Sequence, residues 1–129
     1  MIDFQKNNQE IKLKPIPLEE GHKAVAPLLL DGETVVDAYV TVLDKLVSTD
    51  RRIITVDHLD LIKKRITYGI IPYSRIQYFS VQTAGTNELF EGAELCLYFA
   101  NGNKMLFAIK NKVNITDLAR RISQYLLEN

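Results

Sequence analysis

The 129-residue chain balances sixteen Lys and Arg against sixteen Asp and Glu, and 47% of its residues are hydrophobic. That size and content suit one domain with a real core and exclude a largely disordered chain, while the missing basic excess argues against a general nucleic-acid binder. Cys96 is the single cysteine, so no intrachain disulfide can form, which suits a reducing compartment.

Residues 1–20 predict a lead-in with no defined element, and the domain proper is expected over 21–129. "QKNNQE" is polar, and Pro15 and Pro17 resist both helix and central strand. The opening "MIDFQKNNQE" lacks the apolar core of a signal peptide. "AVAPLLL" at 24–30, the longest apolar stretch, is interrupted by Pro27 and too short to span a bilayer. The expected location is therefore cytoplasmic, or peripheral at the inner membrane face. "HKAVAPLLL" (22–30) predicts one or two helical turns with Pro27 in the first turn or at a kink, and "LDGE" (30–33) a turn.

Thereafter the period is two. "TVVDAYVTVL" (34–43) predicts a strand with Val36, Ala38, Val40 and Val42 on one face. "KLVST" (45–49), "RIITVDH" (52–58) and "KRITYGII" (64–71) predict three more, the last ending at Pro72, which cannot donate to a ladder. "RIQYFSVQT" (75–83), "AELCLYFA" (93–100) and "KMLFAIK" (104–110) complete about seven strands. Asn101-Gly102 between the last two favours a tight hairpin. Leu95, Leu97 and Phe99 share one face, as do Met105, Phe107 and Ile109.

The chain then predicts a helix, with Asn114 as N-cap and Asp117 near the positive end of the helix dipole. Ile115, Leu118, Ala119, Ile122, Tyr125 and Leu126 make one apolar stripe that needs a sheet or barrel mouth to cover. The pattern is mainly β with a C-terminal helix, with no internal repeat.

"LLLDGETV", "TDRRIITVD", "RITYGIIPYSRIQYFSVQTAGT", "AELCLYF" and the final helix, in that order, resemble the bacterial pleckstrin-homology (PH) domain family over roughly residues 28–127. The resemblance implies a bent antiparallel barrel of about seven strands plugged by one amphipathic helix. It also implies self-assembly, because members of this family look like oligomeric, ring-forming proteins. It brings no established ligand and no cofactor.

Two surfaces are candidate sites. Lys45, Arg51, Arg52, Lys63, Lys64 and Arg65 outnumber the acids between 45 and 65. In eukaryotic relatives of the fold, basic residues near the first strand loops hold inositol phosphates, and guanidinium and ammonium groups here could hold an anionic head group by charge-assisted hydrogen bonds. Solvated strand edges explain the same residues more simply, so lipid binding is expected to be weak or nil. Glu88 and Glu91 flank Phe90 in an acidic loop that follows Thr83, Gly85 and Thr86. Opposite charges on one subunit suit a head-to-tail contact, so this loop is the candidate oligomer interface.

The remaining motifs carry little chemistry. Cys96 lies between apolar strand residues and far in sequence from His22 and His58, with nothing to activate a thiolate. "DHLD" (57–60) has no recognised metal-ligand spacing. Tyr39, Tyr68, Tyr78 and Tyr98 fall in strands, where aromatics pack across a sheet. The expected function is a non-enzymatic, self-associating module for an unidentified protein partner. Anionic-lipid binding through 45–65 is the alternative.

Overall fold

A computed structural model describes residues 10–60, 62–83, 92–110 and 114–128. These residues hold eight strands: β1 (Glu10–Pro15), β2 (Val35–Thr41), β3 (Asp44–Thr49), β4 (Arg52–Asp60), β5 (Arg65–Pro72), β6 (Ile76–Gln82), β7 (Ala93–Phe99) and β8 (Lys104–Ile109). Two helices, α1 (Leu18–Val25) and α2 (Ile115–Glu128), accompany them. The strands form one sheet in the order β5-β4-β3-β2-β1-β8-β7-β6, with antiparallel neighbours except for the parallel β1–β8 pair. Leu46 and Ile53 from one half share a buried cluster with Leu95 and Phe107 from the other, so the sheet curls round a common core. The mainly-β architecture with a C-terminal helix is as expected, with eight strands where about seven were predicted.

The additional strand is β1, inside the stretch expected to be a lead-in. Ile11 and Leu13 are buried and alternate with exposed Glu10, Lys12 and Lys14, a two-residue period beside which the prolines dominated the reading. Pro15 is harmless because it is the last strand residue, and the next N–H, on Ile16, bonds the Ala38 carbonyl at 3.0 Å. β1 thus sits between β2 and β8 and joins the two halves of the sheet.

Helix α1 begins at Leu18, four residues before the predicted turns, and Pro27 lies in a short 3-10 turn, Ala26–Leu28, that follows it. Val25 and Leu28 pack on Val35, Ala38, Val47, Ile54 and Val56, a second apolar cluster on the outer face of β2–β4. β4 is consequently buried on both faces, with Ile53 in the inner core and Ile54 in the outer one. Gly21 permits the approach: a Cβ there would stand 2.5 Å from the Ala38 Cβ.

In β2 the predicted face breaks. A register shift between Val35 and Asp37 turns Val35 and Ala38 to the outer cluster and Tyr39 to the inner one, and Val42 leaves the strand for the following turn. The Asn101-Gly102 hairpin forms as predicted, with Gly102 at φ 86° and its N–H bonded to the Phe99 carbonyl at 3.0 Å. Asn114 caps α2, its Oδ1 accepting from the Asp117 N–H at 3.2 Å. Ile115, Leu118 and Ile122 of the predicted stripe enter the inner core, with Tyr125 and Leu126 partly buried against it.

Candidate functional site

The six cations of the basic segment do not form one surface. β4 runs nine residues between them, roughly 30 Å at strand rise, with Arg51 just before its start and Lys63, Lys64 and Arg65 beyond its end. Lys45, paired opposite Val56, is half-exposed and belongs to the latter end. Arg51 is exposed in the β3–β4 turn.

Arg52 serves the interior. Its Nε and Nη2 donate to the two carboxylate oxygens of Glu33 at 2.9 Å each, and Nη2 also donates to the Leu28 carbonyl at 2.7 Å. Glu33 further accepts from the Thr49 hydroxyl at 2.6 Å and the Leu30 N–H at 3.0 Å. Burial pushes the Glu33 carboxyl up, but the donors from Arg52, Leu30 and Thr49 and the Arg52 charge outweigh it and hold the pKa at about 2. This bidentate pair locks the segment after α1 onto the β3–β4 turn, so Arg52 is a structural residue here. Sequence spacing could not reveal it, because the partners stand nineteen residues apart.

A second lock holds α2. Arg121 Nη2 and Nε donate to the Asp37 oxygens at 2.8 and 3.0 Å, with the Asp37 side chain 13% exposed. Burial raises the Asp37 pKa against the opposing pull of Arg121. Beside them, Tyr73 donates to the Thr49 carbonyl at 2.6 Å and stacks on Tyr125 with ring centroids 5.6 Å apart. The corner between β5 and β6 is thereby pinned to the plugging helix.

With the locks in place, the sheet keeps two open margins. β5 and β6 end the strand order, and among the described residues neither has a second strand neighbour. On β5, Ile66 and Ile70 are 44% and 43% exposed. On β6, Tyr78 is 56% exposed and stacks on Tyr98 of β7 at 4.2 Å, nearly coplanar. β6 carries no charged residue, and β5 only Arg65 at its first position. Of the candidate interface, Thr83 is exposed just beyond β6. Gly85, Thr86, Glu88, Phe90 and Glu91 lie outside the described residues.

His58 donates its backbone N–H to Asp44 Oδ1 at 2.8 Å, and its ring Nδ1 lies 3.2 Å from the same oxygen. Among the described residues no group of three His, Cys, Asp or Glu side chains is placed to hold a metal ion. Cys96 is buried in β7. No described helix is long and apolar enough to cross a membrane.

A single curled sheet with one end plugged by a C-terminal helix is a PH-type fold, an architecture that is generally non-catalytic. The comparisons carry this to a family. The model for the bacterial PH domain matches residues 6–126, and the chain belongs to that family. The match begins before β1, whereas the sequence resemblance spans roughly residues 28–127.

The Bacillus subtilis (strain 168) protein YjqA is 41% identical over 78 residues, which span 55% of this chain and 62% of that relative. Among solved structures, a DUF1696 family protein with a pleckstrin-homology domain from Shewanella loihica superposes with a TM-score of 0.73 at 26% identity, covering 90% of this chain and 98% of that one. A pleckstrin-homology domain from Shewanella amazonensis gives a TM-score of 0.61 at 29% identity, with coverages of 86% and 89%.

Proposed function

We propose that the chain is a non-enzymatic interaction module that self-associates through its open sheet margins and presents its loops to a protein partner. The observation that carries this reading is the chemistry of β5 and β6. Monomeric proteins protect edge strands with charge or cover, yet β6 has no charged residue and β5 exposes Ile66 and Ile70. The two margins belong to different strands, so the β5 edge of one copy meets the β6 edge of the next in a heterologous contact. Such contacts close into rings when the rotation permits.

Lysine on either margin tests it. Ile70→Lys or Tyr78→Lys, run on size exclusion with light scattering, should reduce the assembly to monomer. Each substituted edge blocks one side of the contact, so a mixture of the two variants should recover dimers through the edges left intact. Assemblies of unchanged mass in both variants would refute the edge-to-edge reading.

A further inference from the structure

A cleft of about 220 Å³ opens where α1, β2 and the start of α2 meet, with Leu18, Asp37, Tyr39, Asn114, Asp117 and Arg121 in its lining. Sites that enclose a whole small molecule run to roughly 300–1,000 Å³, so this one has room for a single side chain of a larger partner.

Its polar groups include three donors with bonding capacity left over. Tyr39 is 4% exposed, and among the described residues its hydroxyl makes no hydrogen bond. The hydroxyl is not a sealed atom either, so it opens into the cleft. Burial, aided by the Asp37 charge and opposed by Arg121, raises its pKa, and it stays a protonated donor. Arg121 gives Nε and Nη2 to Asp37, which leaves Nη1. Asn114 Oδ1 accepts from the Asp117 N–H at 3.2 Å and from the Thr116 hydroxyl at 2.7 Å, so Nδ2 is the end left for a ligand.

Charge then decides what these donors receive. Asp37 already neutralises Arg121, and Asp117, exposed in the first turn of α2, adds a negative charge. A carboxylate meets that excess, and a lysine ammonium leaves all three donors unmet beside a guanidinium. A carboxamide satisfies both sides: its oxygen accepts from Tyr39 and Arg121, and its NH2 donates to Asp117. Leu18, 49% exposed, gives a methylene stem an apolar contact.

We infer that this cleft takes the carboxamide side chain of a glutamine on a partner protein. The site uses neither β5 nor β6, so it stands or falls apart from self-association.

Saturation-transfer NMR on blocked tripeptides tests it, with Ala-Gln-Ala, Ala-Glu-Ala, Ala-Lys-Ala and Ala-Leu-Ala presented to the intact chain. The backbone amides are common to all four, so differences report the side chain. The glutamine peptide should bind about tenfold more tightly than each of the others. Tyr39→Phe should weaken it about fivefold and leave the melting temperature in place, because the hydroxyl has no partner within the described fold. Asp117→Ala should weaken the glutamine peptide and strengthen the glutamate one. Tighter binding of the glutamate or lysine peptide would overturn the inference and reassign the cleft to a charged side chain. Equal binding of the leucine peptide, an unchanged affinity in Tyr39→Phe, or no saturation transfer to the glutamine peptide would overturn it too. A melting temperature lowered by Tyr39→Phe would place the hydroxyl in an internal bond and refute the site.

Discussion

Replacing Glu33 by Gln removes one buried charge from the contact between the segment after α1 and the β3–β4 turn and keeps the side chain's shape. The Glu33 side chain is fully buried, and its oxygens receive two bonds from Arg52, one from Thr49 and one from the Leu30 N–H. Its pKa of about 2, against 4.5 for the free group, sets the scale. At 1.36 kcal/mol per unit, the ionised form contributes about 3 kcal/mol at neutral pH. That agrees with the range of about 3–5 kcal/mol for breaking a buried pair, reduced because Arg52 stays 16% exposed.

Urea unfolding at pH 7 should therefore show the Glu33→Gln midpoint about 1–2 M below wild type. Because the folded pKa is depressed, this stability is whole above pH 4.5 and is lost as pH falls through about 2. The two unfolding curves should converge in that window. Asp37 has the opposite sign, its raised folded pKa favouring protonation in the folded state, but it is common to both proteins and cancels in the difference. Equal midpoints at pH 7, or a gap that persists undiminished at pH 2.5, would refute the assignment of Arg52 to the interior.

Three further outcomes follow from the same packing. Tyr73→Phe leaves the buried Thr49 carbonyl without its 2.6 Å donor and should cost about 1–2 kcal/mol, read as a drop of several degrees in thermal unfolding. Arg121→Ala strands Asp37 beneath α2, so hydrogen exchange should accelerate across 115–128 before it does in β3 and β4. Gly21→Ala drives a Cβ to within 2.5 Å of Ala38 and should destabilise by about 1–3 kcal/mol, whereas Gly32→Asn, in open space at φ 78°, should cost little.

Strand periodicity made most of the sheet legible. β3 through β8 fall within two residues of the predicted bounds, since each carries a run of β-branched or aromatic residues between turn signals. The Met105, Phe107 and Ile109 face and the α2 stripe both pack where their spacing directed them. β1 is not legible because two prolines obscure the Ile11 and Leu13 alternation, although a proline at a strand's last residue breaks no ladder bond. The outer core, where α1 covers the outer face of β2–β4, has no counterpart in the predicted pattern, because the alternation in these strands marks only one buried face.

The site was less legible. The basic segment is contiguous in sequence, but a nine-residue strand separates its ends, and Arg52 is drawn inward by an acid nineteen positions earlier.

The most direct test of the central claim is the mass of the wild-type chain in solution. Light scattering across a range of concentration and salt should return a fixed multiple of 14.7 kDa, the same at each dilution until the assembly falls apart. A mass of 14.7 kDa throughout, indifferent to salt and concentration, would contradict self-association through β5 and β6.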